Sequence, residues 1–336
     1  MKKKLLLTGL LGLFFFISLK QLQAWGLWGH THINRAAVFA LPEPLRSFFF
    51  NHADYLTEES VVPDIRKYAM NDKAENPRHY IDLESFGNPD SIPRNMKDAR
   101  AKYDSAFLQK NGILPWYIIQ MTDKLTKAMK DGNKAEILFL AADLAHYVGD
   151  AHMPLHTALN HDGQLTNQKG IHAFWESQIP EWMGDQFNLH TAGAHFISDI
   201  QAETWRIILE SHQLEDTLLQ ADRDLSASLP KDKIYQLDDQ GKVVKTKFYQ
   251  AYHTQYYCEQ LEQRMHGMVE KQLQRSILDV ASYWYTAWMN AGQPDLGSLD
   301  DAALTADNKP MLDKELNSWM TGKLIHLKTE YEFPRQ

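Results

Sequence analysis

HYVGDAHMPLH, running from His146 to His156, places an imidazole and a carboxylate four residues apart. On a helix His146 and Asp150 then stand side by side on one face, where a single metal ion can take both. Alone, such a pair also describes a solvated polar face, and matches this short recur by chance. GIHAFWES repeats the spacing with His172 and Glu176, behind a loop from Asn160 to Gly170. Two such pairs with His156 between them suggest several ions. Upstream, VPDIR supplies Asp64 and PRHYID supplies His79, both in a stretch rich in proline and aspartate where loops would hold them. Imidazole and carboxylate without thiolate is the donor mixture of catalytic zinc. Calcium asks for more oxygen donors, and closed structural zinc for more cysteine than the lone Cys258.

A further donor is expected from the N-terminus. The chain opens MKKK, continues through an apolar run from Leu5 to Leu19 and reaches LQA at Ala24, the pattern of a charged leader, a hydrophobic segment and a cleavage site. The apolar run is short for a bilayer span, so no transmembrane anchor is expected once residues 1–24 are removed. Leu22 is larger than the residue a cleavage site prefers at that position. Cleavage after Ala24 would leave Trp25 with a free α-amino group, whose ordinary pKa of about 7.7–8.0 lets it bind a metal near neutral pH together with its own carbonyl oxygen. His30, five residues on, can reach the same ion. The protein is therefore expected to be exported, to the periplasm or beyond.

The elements that must position these residues read as helical almost throughout. Ile137, Leu140, Ala141, Leu144 and Val148 form a narrow apolar stripe with His146 and Asp150 opposite and Asp143 beside them. Pro115 opens an earlier helix that the Gly132–Asn133 pair ends, and a long helical pattern covers Glu259 to Asn290. Thr57 to Arg94 and Ser226 to Lys247 interrupt the pattern, the second as a polar loop or small hairpin. With 44% hydrophobic residues, the expectation is an all-α chain with one mostly helical domain over residues 25–327 and an irregular tail over 328–336. The formal charge of −8 grows more negative once Lys2, Lys3, Lys4 and Lys20 leave, which excludes a polyanion-binding surface unless bound metal ions reverse the sign locally.

In consistent order from Trp25 to Glu176, the motifs WGxxGH, Asp followed closely by Arg, HYID, HxxxDxxxPxH and HxxxE resemble the superfamily that unites bacterial zinc-dependent phospholipase C with the fungal and plant single-strand-specific nucleases. The resemblance implies an all-α fold with three zinc ions in a cleft. It assigns Asp64, His79, His146 and Asp150 to one ion. Trp25, His30 and a bridging Asp150 fall to its neighbour, and His156, His172 and Glu176 to the third. Asp64 would also orient or deprotonate the attacking water, while Tyr80 and Glu84 would line a substrate pocket. Two neighbouring zinc ions acidify a water between them to a pKa of about 7, and a third can stabilise the leaving oxygen of an in-line displacement.

The chain departs from that pattern in places. The nucleases carry Arg three residues beyond the first Asp, whereas here Arg66 stands at two and Lys67 at three, leaving open which cation meets the phosphate. Glu176 and Ser177 replace the usual Asp and Asn, a feature of the phospholipases, and the disulfides of the fungal nucleases are absent. The expected activity is therefore zinc-dependent hydrolysis of a phosphodiester, with phospholipase C action on a phospholipid ahead of cleavage of single-stranded nucleic acid. A non-catalytic zinc protein is the third reading, and no stable protein partner is implied. Of the remaining histidines, His152 and His161 lie near enough in sequence to touch the ligands, and Tyr283, Trp284, Tyr285 and Trp288 read as packing core.

Overall fold

The computed structural model describes residues 26–246, 249–300 and 308–329. The leader, the cleavage site and Trp25 lie outside them, as does the tail beyond 329. Among the described residues the architecture is helical, with no strands and only isolated β-bridges. The principal helices are α1 (Gly26–Ala40), α2 (Ala53–Glu59), α3 (Leu114–Asp131), α4 (Lys134–Ala151), α5 (Ile200–His212), α6 (Glu215–Ser228), α7 (Gln255–Arg264), α8 (Met268–Asn290) and α9 (Asn308–Met320). No helix is long and apolar enough to cross a membrane.

The middle of the structure is α4, which packs against α1, α2, α3 and α8. Pro115 sits in the first turn of α3, and the chain turns at Gly132 so that the Asn133 side chain accepts the Glu136 N–H at the start of α4. From Ile137 to Ala151 nearly every side chain of α4 is buried. The narrow apolar stripe is thus only one of its buried faces, and the polar face with Asp143, His146 and Asp150 is covered too. On the apolar side, Trp284 of α8 donates to the Ala141 carbonyl (3.0 Å) and stacks on Phe49. Tyr283, Trp284 and Trp288 are buried core, as their pattern predicts.

The helix expected from Glu259 to Asn290 is two helices. The chain breaks between Arg264 and Met268, with His266 and Gly267 both at positive φ. The buried Glu262 carboxylate explains the break, because it accepts the N–H groups of Val269 (3.2 Å) and Glu270 (3.1 Å) and so caps α8 from the preceding helix. Further up, α6 continues to Ser228, three residues into the expected loop. The remainder forms a short helix, Lys231–Ile234, and a ribbon bridged at Tyr235–His253, Leu237–Val243 and Lys245–Ala251. Thr57 to Arg94, read as irregular, is a chain of short helical turns that carries Asp64 and His79.

Candidate metal centre

Asp150, near the end of α4, is the hub of the site. Its Oδ2 lies 2.9 Å from His79 Nδ1 and 3.3 Å from His146 Nε2, while its Oδ1 lies 3.3 Å from His156 Nδ1 and 3.5 Å from His30 Nε2. One carboxylate therefore faces four imidazoles, all buried. The His30 ring comes from α1 and stacks on His146 at 3.9 Å between centroids. Gly149 lies directly against it, where a Cβ would come to 3.4 Å from the ring. Asp64 joins at 3.7 Å from His79 Nδ1. At the other end His156 Nε2 approaches His172 Nε2 (3.2 Å), with Glu176 Oε2 3.1 Å from His172 and 3.7 Å from His156.

Local backbone breaks bring these residues together. Pro154 ends the path of α4, and a 3₁₀ turn over Pro154–Thr157 folds His156 back toward Asp150. The His156 carbonyl then accepts the Ile81 N–H (2.8 Å), holding the segment after His79 against the ligand turn. Two π-helical turns, Ile65–Ala69 directly after Asp64 and Phe174–Gln178 around Glu176, shift the register at the two outer carboxylates, where such turns often mark function.

Hydrogen bonds on the outer side fix which ring nitrogen faces inward. His146 Nδ1 donates to the Ser60 carbonyl (2.8 Å) and His172 Nδ1 to the His161 carbonyl (2.7 Å), so each Nε2 points into the cluster. His79 turns Nδ1 inward with Nε2 3.4 Å from Glu75. Glu75 is in turn held by Arg78, Arg66 and the Tyr147 hydroxyl. His161 thus touches a ligand through its backbone alone. His152, equally near in sequence, points away and pairs with Asp279 on α8 at 2.9 Å.

The donor set fits metal ions. Both ring nitrogens of His30, Asp64 Oδ1, Asp150 Oδ1 and His156 Nδ1 are buried without a hydrogen-bond partner, an arrangement costly for polar groups unless a cation satisfies them. Three groups bring their ligand atoms within 4.8 Å of one another: His30, Asp64 and His146; His79, His146 and Asp150; and His156, His172 and Glu176. Burial and the charge of His146 bring His30 down to about 4, which keeps it neutral and able to donate its lone pair. Burial pulls His146 down as well, but Asp150 and Asp64 outweigh it and lift it to about 9. Asp150 is held well below the carboxylate range by His146 and His156, against the effect of burial.

The two expected cations part company. Arg66 Nη2 reaches Asp143 (2.5 Å) and its Nε lies 3.5 Å from Glu75, so it pairs with carboxylates outside the ligand set. A cavity of about 420 Å³ is bordered by Arg66, Tyr117, Lys124, Phe139 and Asp143 and includes no residue of the cluster. Lys67 instead lies in the field of the cluster carboxylates. Burial opposes its charge, yet Tyr68, Asp64 and Asp150 hold its pKa above the lysine range, and its ammonium lies 4.7 Å from the centre of the Tyr68 ring. Tyr80 donates to the Lys110 carbonyl (2.9 Å), and Glu84 accepts the Leu159 N–H (2.9 Å).

Three residues beside the cluster escape sequence reasoning. Tyr68 is 43% exposed, between Lys67 and the fields of Asp64 and Glu176. Asp82 is only 8% exposed, and burial with the neighbouring Glu84 charge pushes its carboxyl up to about 7. Glu75 stands behind His79. The sole hint of Asp82 was its place three residues after His79, and nothing in the local pattern marks Tyr68 or Glu75.

No individual curated protein matches the chain. The profile described as S1/P1 nuclease matches residues 25–276, which takes in every residue of the cluster and reaches α8. That family is one of hydrolytic phosphodiesterases acting on nucleic acid, and its match favours the nuclease reading, placed second from sequence, over the phospholipase reading, for which it offers no specific support. A contiguous match over most of a helical chain whose histidines and carboxylates gather at one buried aspartate leaves the assignment plain: the protein belongs to the S1/P1 nuclease family.

Proposed function

We propose that the protein is an exported, zinc-dependent phosphodiesterase that hydrolyses single-stranded nucleic acid to 5′-nucleotides. The observation that carries this reading is the gathering of His30, His79, His146 and His156 around Asp150, with Asp64 and the His172–Glu176 pair at its ends, inside the region that matches the nuclease family. The proposed occupants are three zinc ions, divided as the resemblance divides them, with the Trp25 α-amino group completing the site of His30. When bound, zinc supplies an acidified water and offsets the negative charge of the phosphodiester.

The chain's own residues do the rest. Asp64 accepts a proton from the attacking water and aims its oxygen at phosphorus, so that a P–O bond forms to water while the bond to the leaving 3′ oxygen breaks and that oxygen takes up a proton. Lys67 holds a non-bridging phosphate oxygen with a compact, permanently charged ammonium. The exposed ring of Tyr68 and the half-buried ring of Tyr80 are suited to stack on unpaired bases, which a duplex would keep buried in its own stack. Asp82, near 7, can donate to or accept from a base edge. A net charge of −8 leaves this local cation set as the attraction for a polyanion.

Correctly processed, zinc-loaded protein should be incubated with phosphatidylcholine vesicles and single-stranded RNA together, with His146→Ala as control, and the phosphorylated products identified by mass spectrometry. The expected products are 5′-nucleotides, absent from the control. Phosphocholine without nucleotides would overturn the substrate assignment in favour of lipid, and no product at full zinc occupancy would leave a zinc-binding protein without turnover.

Lys67→Ala is expected to lower kcat/KM on RNA by about 10²-fold, with zinc content unchanged, as lost phosphate contact predicts. Arg66→Ala is expected to act on stability instead, costing about 3–5 kcal/mol, because it strips a buried Asp143 of its partner. Steady-state kinetics and denaturant unfolding on both variants separate the two roles, and the reverse pattern would reassign the phosphate contact to Arg66.

A further inference from the structure

A second set of metal-binding side chains lies away from the Asp150 hub. Glu84 on the short helix Leu83–Phe86, His212 in the last turn of α5 and Glu215 in the first turn of α6 bring one ligand atom each within 4.8 Å of one another. His212 and Glu215 are three residues apart at the corner between α5 and α6, and folding brings Glu84 to them from far along the chain. The set mixes an imidazole with two carboxylates, the donor combination of a borderline divalent ion, and is not a plain acidic patch.

Two features inside it point to a missing cation. Glu215 is only 9% exposed, and no hydrogen bond or ion pair engages its carboxylate. His212 Nδ1 is buried and likewise has no hydrogen-bond partner. Folded proteins rarely leave a buried ring nitrogen such as His212 Nδ1 unsatisfied, because burying it unpaired costs about 1–3 kcal/mol. Burial, then the Glu84 and Asp216 charges, push Glu215 up to about 7, and no lysine or arginine offsets them. Glu84 uses one oxygen to accept the Leu159 N–H, which orients its carboxylate from behind in the way that supporting hydrogen bonds orient metal ligands.

We propose that Glu84, His212 and Glu215 form a separate binding site for one divalent transition-metal ion, zinc serving as the probe, which staples the segment carrying Tyr80 and Asp82 to the corner between α5 and α6. The same segment is fixed at its other end, where Ile81 donates to the His156 carbonyl, and the chain after Leu159 leads into the loop that supplies His161 and His172. An ion here holds the rim of the catalytic cleft without entering the reaction. The site stands whether the substrate is nucleic acid or lipid.

Full-length protein should be brought to equilibrium by dialysis against micromolar zinc and its metal content measured for wild type, His212→Gln and Glu215→Gln, with helicity checked by circular dichroism. Each variant is expected to hold one zinc ion per chain fewer than wild type, while Asp150→Ala loses ions of the main cluster and keeps this one. Equal zinc content in wild type and both variants would overturn the proposal. Should either variant fail to fold, zinc-edge anomalous diffraction from wild-type crystals decides instead. A peak about 2.0–2.2 Å from His212 and the two carboxylates is expected, and peaks at the Asp150 cluster with none here would equally overturn it.

Discussion

Asp150→Ala is expected to strip the main cluster of its metal and to lower kcat/KM on single-stranded RNA by ~10⁴-fold or more. No other residue touches so much of the site, since its two oxygens face His79 and His146 on one side and His30 and His156 on the other. Removing the carboxylate takes a shared ligand from neighbouring ions and leaves four buried imidazoles without the anion that organises them. His146, lifted to about 9 chiefly by Asp150, would fall back under the burial that otherwise dominates it. The isosteric Asp150→Asn keeps one oxygen donor and the shape of the side chain, so it should retain helicity and part of the zinc while activity still collapses. Zinc content and initial rates measured on the same preparations test this. An Asp150→Ala protein with wild-type zinc and wild-type turnover would show that the hub is not the metal centre.

Why the pairing of His146 with Asp150 is visible in the sequence, and the choice between Arg66 and Lys67 stays open there, comes down to the kind of backbone that presents each. His146 and Asp150 lie on one regular helix, where a four-residue spacing dictates adjacency, and the proline of HMPLH announces the turn that brings His156 back. His172 and Glu176 keep the same spacing, though the π-helical turn between Phe174 and Gln178 decides their final register. Arg66 and Lys67 sit in the other π-helical turn, where one residue of register decides which side chain lies in the field of Asp64 and Asp150 and which pairs with Asp143. No periodicity carries that information. The break at Gly267 was hidden for a related reason, because the group that terminates one helix and caps the next is Glu262, a charged residue that looks like any solvated helical position. The narrow stripe on α4 understated its burial, since side chains that bind ions inside a protein are as polar in sequence as those that face water. Helical content and the pairing of histidines with carboxylates were therefore legible, while the divergent placement of Arg66 and Lys67, the contact of Glu75 with His79 and the perturbed Asp82 depend on tertiary contacts.

Removal of zinc is expected to lower the melting temperature by about 10 °C or more, and by an amount that grows from pH 6.5 toward pH 9. Ions that bind only the folded chain stabilise it by about 4 kcal/mol per site at a thousandfold excess over Kd, and a few such sites suffice for a shift of this size. The pH dependence follows from the protons that the ions displace. In the metal-free protein His146, raised to about 9, binds its proton more tightly than in the unfolded chain. Its contribution to stability is complete below about 6.5 and is lost as pH climbs through 9. His30, brought down to about 4, works in the opposite sense, since its contribution is present above 6.5 and is lost as pH falls toward 4. The metal-free protein should therefore be most stable near 6.5. Zinc cannot bind a protonated imidazole, so it must expel the His146 proton, at a cost of about 1.4 kcal/mol for each pH unit below 9. Holding free zinc constant, the gain in melting temperature should thus be smallest at the acid end of this range and largest near pH 9. Calorimetric scans of the zinc-loaded and chelator-treated protein at pH 6.5, 7.5 and 8.5 provide the comparison. A gain that is flat or falls with pH would mean that the ions bind away from His146 and would break the link between this cluster and the folded state.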